Sequence, residues 1–345
     1  MSLVSLLKKK GRNTLFTTPS HSQRFFIYHK LRNLYKYDIS ETDTHNPQTA
    51  LELAQKNAAK IYGTKSTSFL LNGSSSGIIA AVLACVNKDD NVLIWDNAHP
   101  CHKNAVRLAG ANPIYYTISK NADWDIYEKT QPELIDSILK TSTIKAVIIT
   151  SPSYEGVVSD IKAIKNLCTK YGVYLIVDEA HGALYPFSDN LPESAVKIAD
   201  FTIQSLHKTA GGLNPTALLH CNCDIDVTEA LSLITTTSPS YPMLASIEKN
   251  INYLNSKQGK KEIEKLIAEI KILQQTCSNI EFYGDDITKI LIKCDKYSGF
   301  ELSERLFNKY RIEDERTNSK STMLLCGIGT DKTKLRRLEK ALKNL

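Results

Sequence analysis

The stretch YLIVDEAHGA, residues 174–183, decides the fold class of this 345-residue chain. Its largely apolar start suits a strand that is buried on both faces, and the acid Asp178 follows at once. A carboxylate at the end of a buried strand is costly unless it meets a cation or a hydrogen-bond donor. We therefore interpret Asp178 as the partner of a cationic ligand, with the cap of a local turn as the alternative.

Similar apolar runs recur between about residues 50 and 222 and alternate with amphipathic segments. Continuous apolar strands between helices indicate an α/β fold with a mostly parallel central sheet covered on both faces. The predicted strands are 68–71, 91–95, 113–117, 146–150, 174–177, 201–204 and 216–219, and the helices include 50–62, 103–108, 132–139 and 161–171.

We expect an N-terminal arm over residues 1–48, a large domain over 49–241, and a linking helix with a small C-terminal α+β domain over 242–345. After Pro242 a long helical pattern runs to about Gln275, and we expect a break near Gly259.

Composition excludes several classes of protein. The 43 basic and 37 acidic side chains are interleaved, so a net charge of +6 does not indicate a nucleic-acid partner. No apolar stretch is long enough for a membrane helix, and the basic residues that follow the apolar start reverse the order found in a secretory signal. Eight scattered cysteines suit a reducing compartment, so we expect the cytoplasm.

Two segments that follow predicted strands carry candidate ligand-binding groups. The turn at residues 72–77, NGSSSG, offers hydroxyls and backbone N–H groups at the start of a helix, which suits a phosphate. Its alternative interpretation is an ordinary helix cap. His99, Cys101 and His102 follow the strand 91–95, but no second cluster has metal-ligand spacing, so we expect no metal. An imidazole at this strand end would instead stack on a flat ligand.

Lys208 lies in the segment SLHKTAGG, residues 205–212, after another predicted strand. A lysine among small and apolar residues should titrate below its usual pKa of about 10.4, which makes it a competent Schiff-base amine. The alternative is a lysine that extends to solvent. Together with the phosphate turn, the imidazole and Asp178, it matches the requirements of a pyridoxal-phosphate (PLP) site.

The chain resembles the PLP-dependent ornithine/lysine/arginine decarboxylases of bacteria, within the group that shares the aspartate-aminotransferase-like fold. Relative to large members, the sequence has no N-terminal wing and little C-terminal extension, so we expect a reduced form. The matching segments are TPSH (18–21), DISE (38–41), HNP (45–47), NGSS (72–75), CHK (101–103), PSYEG (152–156), DEAHG (178–182), SLHK (205–208) and TTSPSY (236–241).

The resemblance implies the role of each matched residue. Lys208 would bind PLP covalently, Asp178 would keep the pyridine nitrogen protonated, and Ala180 and His102 would contact the two faces of the ring. His207 or Lys208 would handle the proton that returns to the substrate. The remaining implied cofactor ligands are Ser74, Ser75, His181, Ser205 and His207, with Thr236 and Thr237 reaching the phosphate of the partner subunit in a homodimer.

The resemblance also implies the reaction, which is decarboxylation of a basic amino acid to CO₂ and an amine, as in polyamine biosynthesis. Glu313, beside Asp314 and Glu315, is the candidate for binding the substrate side chain. An aminotransferase or another lyase of this fold remains an alternative, because Arg311 or Arg316 would suit an α-carboxylate. A catalytically inactive PLP-binding regulator is the second alternative, against which the presence of both Lys208 and Asp178 argues.

Overall fold

The computed structural model describes residues 14–16 and 49–345. Its strands are β1 (Thr14–Leu15), β2 (Ser66–Leu70), β3 (Asn91–Trp95), β4 (Asn112–Tyr116), β5 (Lys120–Asn121), β6 (Ile126–Tyr127), β7 (Ala146–Thr150), β8 (Tyr174–Asp178), β9 (Phe201–Ser205), β10 (Ala217–Cys221), β11 (Glu281–Tyr283), β12 (Lys289–Lys293), β13 (Ile312–Glu313), β14 (Arg316–Thr317) and β15 (Thr322–Leu325). Its helices are α1 (Thr49–Tyr62), α2 (Gly73–Cys85), α3 (Pro100–Leu108), α4 (Pro132–Thr141), α5 (Ile161–Tyr171), α6 (Thr228–Ile234), α7 (Tyr241–Asn255), α8 (Lys257–Thr276), α9 (Gly299–Tyr310) and α10 (Lys332–Lys343).

Seven strands form the main sheet in the order β2-β10-β9-β8-β7-β3-β4. Strand β10 is antiparallel to both of its neighbours, and the other neighbouring pairs are parallel. The predicted mostly parallel central sheet is therefore confirmed. Parallel pairing aligns Thr150 at the end of β7 with Asp178 at the end of β8, so the residues that follow these strands meet at one edge.

Helix α2 lies very close to the main sheet, and Gly77 explains how. A Cβ atom at Gly77 would lie 2.8 Å from the Leu70 side chain and 2.9 Å from that of Ile203, which belong to β2 and β9. The missing side chain lets the helix approach the strands, and this approach sets the position of the helix N-terminus above the sheet edge.

The C-terminal part contains a second sheet, which we call the small sheet, with the antiparallel order β11-β12-β15-β14. Its strands and the helices α8, α9 and α10 share one apolar core, as the predicted α+β region requires. The expected helix break falls at Ser256 rather than at Gly259. Ser256 accepts the Gly259 N–H at its hydroxyl and so starts α8, whereas Gly259 allows close packing on the Tyr253 carbonyl.

Most of the expected arm, residues 1–48, lies outside the described residues. The exception is the segment 14–16, in which β1 pairs in parallel with β13 and Phe16 is buried in the core of the small sheet. Across the described parts of the chain, no helix has both the length and the apolar character that crossing a membrane requires.

Candidate active site

A cavity of about 430 Å³ opens at the carboxyl edge of the main sheet. Trp95, Thr150 and Asp178, the last residues of β3, β7 and β8, form part of its wall. Ligands of open α/β sheets bind at this edge. The predicted site residues that the structure brings to the wall are Ser74, Asp178, Ala180, His181 and Lys208.

The Asp178 carboxylate is 6% exposed and already accepts two hydrogen bonds. His102 Nε2 donates to Oδ2 at 2.9 Å, and the Ala180 N–H donates to Oδ1 at 3.1 Å. Burial acts to raise the pKa of Asp178, but the His102 hydrogen bond, the Lys208 charge and the Ala180 N–H outweigh it and leave the pKa below its ordinary value. A carboxylate accepts about four hydrogen bonds, so this anion can bind a further cationic N–H in the cavity.

Lys208 lies in the turn after β9, and its side chain reaches the same cavity. Burial lowers its pKa, and the nearby Asp178 carboxylate opposes that effect only in part. This is the direction expected from the sequence. The amine therefore loses its proton more readily than an exposed lysine does, as a nucleophile that condenses with a carbonyl requires.

His181 is the hydrogen-bond partner of Lys208, with 2.9 Å between Nε2 and Nζ. Burial, followed by the charges of Lys208 and Lys289, lowers the pKa of His181 well below its usual value, so the imidazole is neutral and accepts from the ammonium. The Lys289 ammonium also holds the His181 backbone carbonyl at 2.6 Å. Among the described residues His181 Nδ1 is buried without a hydrogen-bond partner.

The phosphate end of the predicted site lies at the N-terminus of α2. Gly73 has φ +74°, a left-handed conformation that favours glycine, and it turns the chain from the strand into the helix. Ser74 lines the cavity, whereas the Ser75 hydroxyl bonds the Cys101 thiol. Ser205 is fully buried, and within the described residues its hydroxyl has no hydrogen-bond partner. An unpartnered hydroxyl of this kind suits a ligand oxygen.

The two histidines after β3 have different positions. His99 caps α3 by accepting the Cys101 N–H at Nδ1, and it lines the cavity. His102 lies one turn into the helix, is fully buried and bonds Asp178 from behind. His99 therefore lies on the cavity wall and His102 does not, and the predicted contact of His102 with a ring face stays a prediction. Burial lowers the pKa of His99.

Tyr154, Glu155 and Arg316 also line the cavity, and we call these three residues the rim. Arg316 Nε lies 3.2 Å from a Glu155 carboxylate oxygen. The Tyr154 hydroxyl donates to Glu315 Oε1 at 2.6 Å. Glu155 is not among the site residues predicted from the sequence, although it lies in the PSYEG segment that carries part of the resemblance.

The remaining predicted residues lie away from the cavity wall. Glu313 belongs to β13, whose backbone pairs with β1, and it is not on the cavity wall, so its substrate role stays a prediction. His207 donates from Nδ1 to the Thr216 carbonyl at 3.2 Å, and burial lowers its pKa. Thr236 and Thr237 are exposed in the segment between α6 and α7.

One cluster has the residue types of a metal site. Ligand atoms of Cys101, His102 and Asp178 lie within 4.8 Å of one another. The His102–Asp178 distance of 2.9 Å is that of a hydrogen bond, and burial raises the pKa of the Cys101 thiol to about 12, which opposes the thiolate that a metal needs. This cluster is therefore better described as the support of Asp178.

The fold and the site define the class of protein. An ionised buried carboxylate and a lysine with a lowered pKa provide partners for the pyridine nitrogen and the aldehyde of PLP, and Ser74 at the N-terminus of α2 lines the same cavity and provides for the phosphate. The residues present therefore fit this cofactor.

The sequence family described as Orn/Lys/Arg decarboxylase, major domain, matches residues 10–297, and the chain belongs to this family. The predicted family, the aspartate-aminotransferase-like fold and the cofactor PLP are confirmed. Membership of the family also confirms the predicted class of enzyme, a PLP-dependent carboxy-lyase.

The chain is similar to several known proteins. It is 29% identical to the uncharacterized protein YaaO of Bacillus subtilis, covering 94% of this chain and 73% of the relative. It is 27% identical to an arginine decarboxylase of Bacillus anthracis, covering 99% and 76%. The structure of E. coli constitutive lysine decarboxylase matches with a TM-score of 0.75 at 20% identity, which supports the fold, and the match covers 90% of this chain and 54% of that one.

Proposed function

We propose that the protein removes the α-carboxylate of a basic amino acid and releases CO₂ and an amine. The observation that carries this proposal is the meeting of Asp178 and Lys208 in one cavity whose rim holds the carboxylate Glu155. The first two provide for PLP, and the third provides for a cationic substrate side chain. Family membership and the arginine decarboxylases among the relatives support the same reaction.

In this proposal the bound cofactor supplies an electron sink for the bond that breaks at the substrate α-carbon. Asp178 holds the proton on the ring nitrogen, and His102 keeps the carboxylate oriented toward it. Ser74 and the N-terminus of α2 would bind the phosphate, as the place of Ser74 on the cavity wall favours, and Ser205 is assigned to the phosphate by the family resemblance alone. His99 and Ala180, which both line the cavity, would hold the cofactor ring between them.

Lys208 would be the residue that holds the cofactor, and its amine, which lines the cavity and has a lowered pKa, would return a proton to the substrate α-carbon. His207 was the other candidate, but it lies off the cavity wall and its Nδ1–H is engaged by Thr216. His181 keeps the Lys208 amine in place through the 2.9 Å contact.

Transamination is the second candidate, and Arg316 is the observation that favours it. This arginine lines the cavity from the small sheet, where it would suit an α-carboxylate. Its contact with Glu155 argues for decarboxylation, because that contact directs part of the guanidinium toward an acid. Arg311 is exposed and lies off the wall, so it is no longer a candidate.

The proposal includes a homodimer in the cytoplasm that acts in polyamine biosynthesis. The exposed Thr236 and Thr237 suit contact with the site of a second copy, as the family resemblance implies. All eight cysteines are free thiols, which suits a reducing compartment.

A panel assay tests the reaction. Purified protein with PLP is supplied with arginine, lysine, ornithine and several neutral and acidic amino acids, and CO₂ and amine are measured with and without a 2-oxoacid. We expect equal amounts of CO₂ and amine from a basic amino acid, independent of the 2-oxoacid. Amino transfer that requires the 2-oxoacid and yields no CO₂ would replace the proposal by the second candidate.

A further inference from the structure

Glu155 is a carboxylate on the rim that the cofactor does not need. Its side chain lines the cavity and is only 10% exposed. A buried carboxylate is stable only when a cation or several hydrogen-bond donors meet it. The surroundings of Glu155 therefore indicate where a cation binds.

The loop that carries Glu155 is held firmly. Ser153 donates from its hydroxyl to the Glu155 carboxylate at 3.3 Å, and its backbone N–H bonds the Val157 carbonyl at 2.8 Å. Gly156 has φ +94° and packs so closely on Lys289 that a Cβ atom there would lie 3.0 Å from the Lys289 Cβ. The carboxylate is consequently placed in advance of ligand binding, as a specificity group should be.

The cation that Glu155 meets in the structure is Arg316. The Arg316 side chain is 49% exposed, and its Nε lies 3.2 Å from Glu155 Oε1. Pairs with one solvated partner contribute little to stability, so a better-placed cation can displace this guanidinium. Arg316 is thus a removable partner, whereas Glu155 is a fixed one.

The ring of Tyr154 lies near both the Glu155–Arg316 pair and Lys208. Lys208 Nζ lies 5.9 Å from the centre of its ring, and Arg316 Cζ lies 5.0 Å from the same centre. The hydroxyl bond to Glu315 anchors the ring. A substrate amine placed where Lys208 lies and a terminal cation placed where Arg316 lies would share this ring, which attracts both cations.

We propose that Glu155 binds the terminal cation of the substrate side chain, and that Arg316 occupies the same place until substrate displaces it. This inference rests on the proposed function and deepens it by naming the residue that distinguishes basic amino acids from neutral ones. The guanidinium already seated against Glu155 and over Tyr154 has the shape of the arginine side-chain terminus.

Arginine and citrulline provide the test, because they have the same shape and differ in charge. Dissociation constants are measured by calorimetry on the PLP-loaded protein, and kcat/KM is measured for each. Glu155→Gln should weaken the binding of arginine about ten- to hundredfold, the usual range for a lost hydrogen bond to a charged group. The same variant should change the binding of citrulline about twofold or less. If wild type prefers lysine, lysine and norleucine form the pair.

Two further variants make the result decisive. Glu155→Asp keeps the charge and should retain most of the discrimination, which separates charge recognition from a folding defect. Glu315→Gln alters the carboxylate that accepts the Tyr154 hydroxyl, and it should change the dissociation constants of arginine and citrulline by the same factor. Equal weakening of both ligands by Glu155→Gln would overturn the inference.

Arg316→Gln decides between the two roles of the arginine. Removal of a competing cation should strengthen arginine binding up to about fivefold and leave citrulline unchanged. An α-carboxylate clamp would instead weaken both ligands, and that outcome overturns the inference. The proposed function fails separately if wild type releases CO₂ from no amino acid, because the ratio of dissociation constants is still measured.

Discussion

The cofactor floor and the rim are built by different means. The cofactor floor comprises Asp178, His102, Lys208 and His181, which are buried or largely buried and bond one another in two pairs. The rim comprises Tyr154, Glu155 and Arg316, in which a buried carboxylate meets a half-exposed guanidinium. The cofactor floor is assembled from residues at and after the ends of β8 and β9 together with His102 of α3, whereas the rim joins a loop of the main sheet to a strand of the small sheet.

This difference assigns different tasks to the two sets. A buried and hydrogen-bonded floor holds charges whose positions do not change, as a resident cofactor requires. In the rim, the solvated guanidinium of Arg316 can leave Glu155 at little cost in free energy. This suits the binding and release of a substrate. Changes in the cofactor floor should therefore affect the bound cofactor, and changes in the rim should affect the choice of substrate.

The largest effect is expected from Lys208→Ala, which removes the amine that binds the cofactor. The visible absorbance of covalently bound PLP should disappear, and decarboxylation should fall to the background rate, because no other residue is assigned to this bond. Spectra of dialysed protein and the CO₂ assay measure both effects. Lys103→Ala, an exposed lysine in the neighbouring CHK segment, is the matched control. A variant that keeps the wild-type band would refute the assignment of Lys208.

The cofactor floor could largely be predicted from the sequence, and the rim could not. Asp178 follows four residues of a buried strand, so its place at the sheet edge depends only on the strand and its direction. Glu155 and Arg316 are 161 positions apart and meet because the small sheet packs on a loop, which no local pattern encodes. The family resemblance directed attention to the acidic segment 313–315, in which Glu315 accepts a hydrogen bond from Tyr154 of the rim.

A smaller effect is expected from a buried histidine of the main sheet. His220 on β10 is fully buried, its Nδ1 lies 2.9 Å from the Thr67 hydroxyl, and burial lowers its pKa to about 3. Above the ordinary pKa of about 6.5 both the folded and the unfolded protein hold it neutral. As the pH falls below this value the unfolded chain binds a proton that the folded chain does not, so the free energy of unfolding decreases.

His220→Gln should reduce this acid sensitivity. Between pH 7 and pH 4 the wild-type holoenzyme should lose roughly 3 kcal/mol more stability than the variant does, since each pKa unit corresponds to about 1.4 kcal/mol. Urea unfolding of both proteins at the two pH values measures this difference. The contribution of the carboxylates is the same in both proteins and therefore cancels. The same pH dependence in the two proteins would contradict a neutral buried His220.

The difference between His99 and His102 illustrates what a single helix boundary decides. Both follow β3 within seven residues, and the resemblance pointed to the second. Pro100 is the signal that places the start of the helix, because proline favours the first position of a helix. His99 is then the residue before the helix, at the sheet edge, and His102 lies one turn inside with its side chain directed at Asp178.

The smallest expected effect is on PLP binding, and it tests the different roles of His99 and His102. His99→Ala should weaken PLP binding by the apoenzyme up to about tenfold, the range of an aromatic contact, and His99→Phe should restore it because a ring remains. His102→Phe also retains a ring but removes the hydrogen bond to Asp178, so it should weaken PLP binding about tenfold or more. Quenching of Trp95, which lines the cavity, measures the dissociation constants. If the His102→Phe variant binds PLP as wild type does and the His99→Phe variant does not, the roles are reversed. His102 would then be the residue that contacts the cofactor ring.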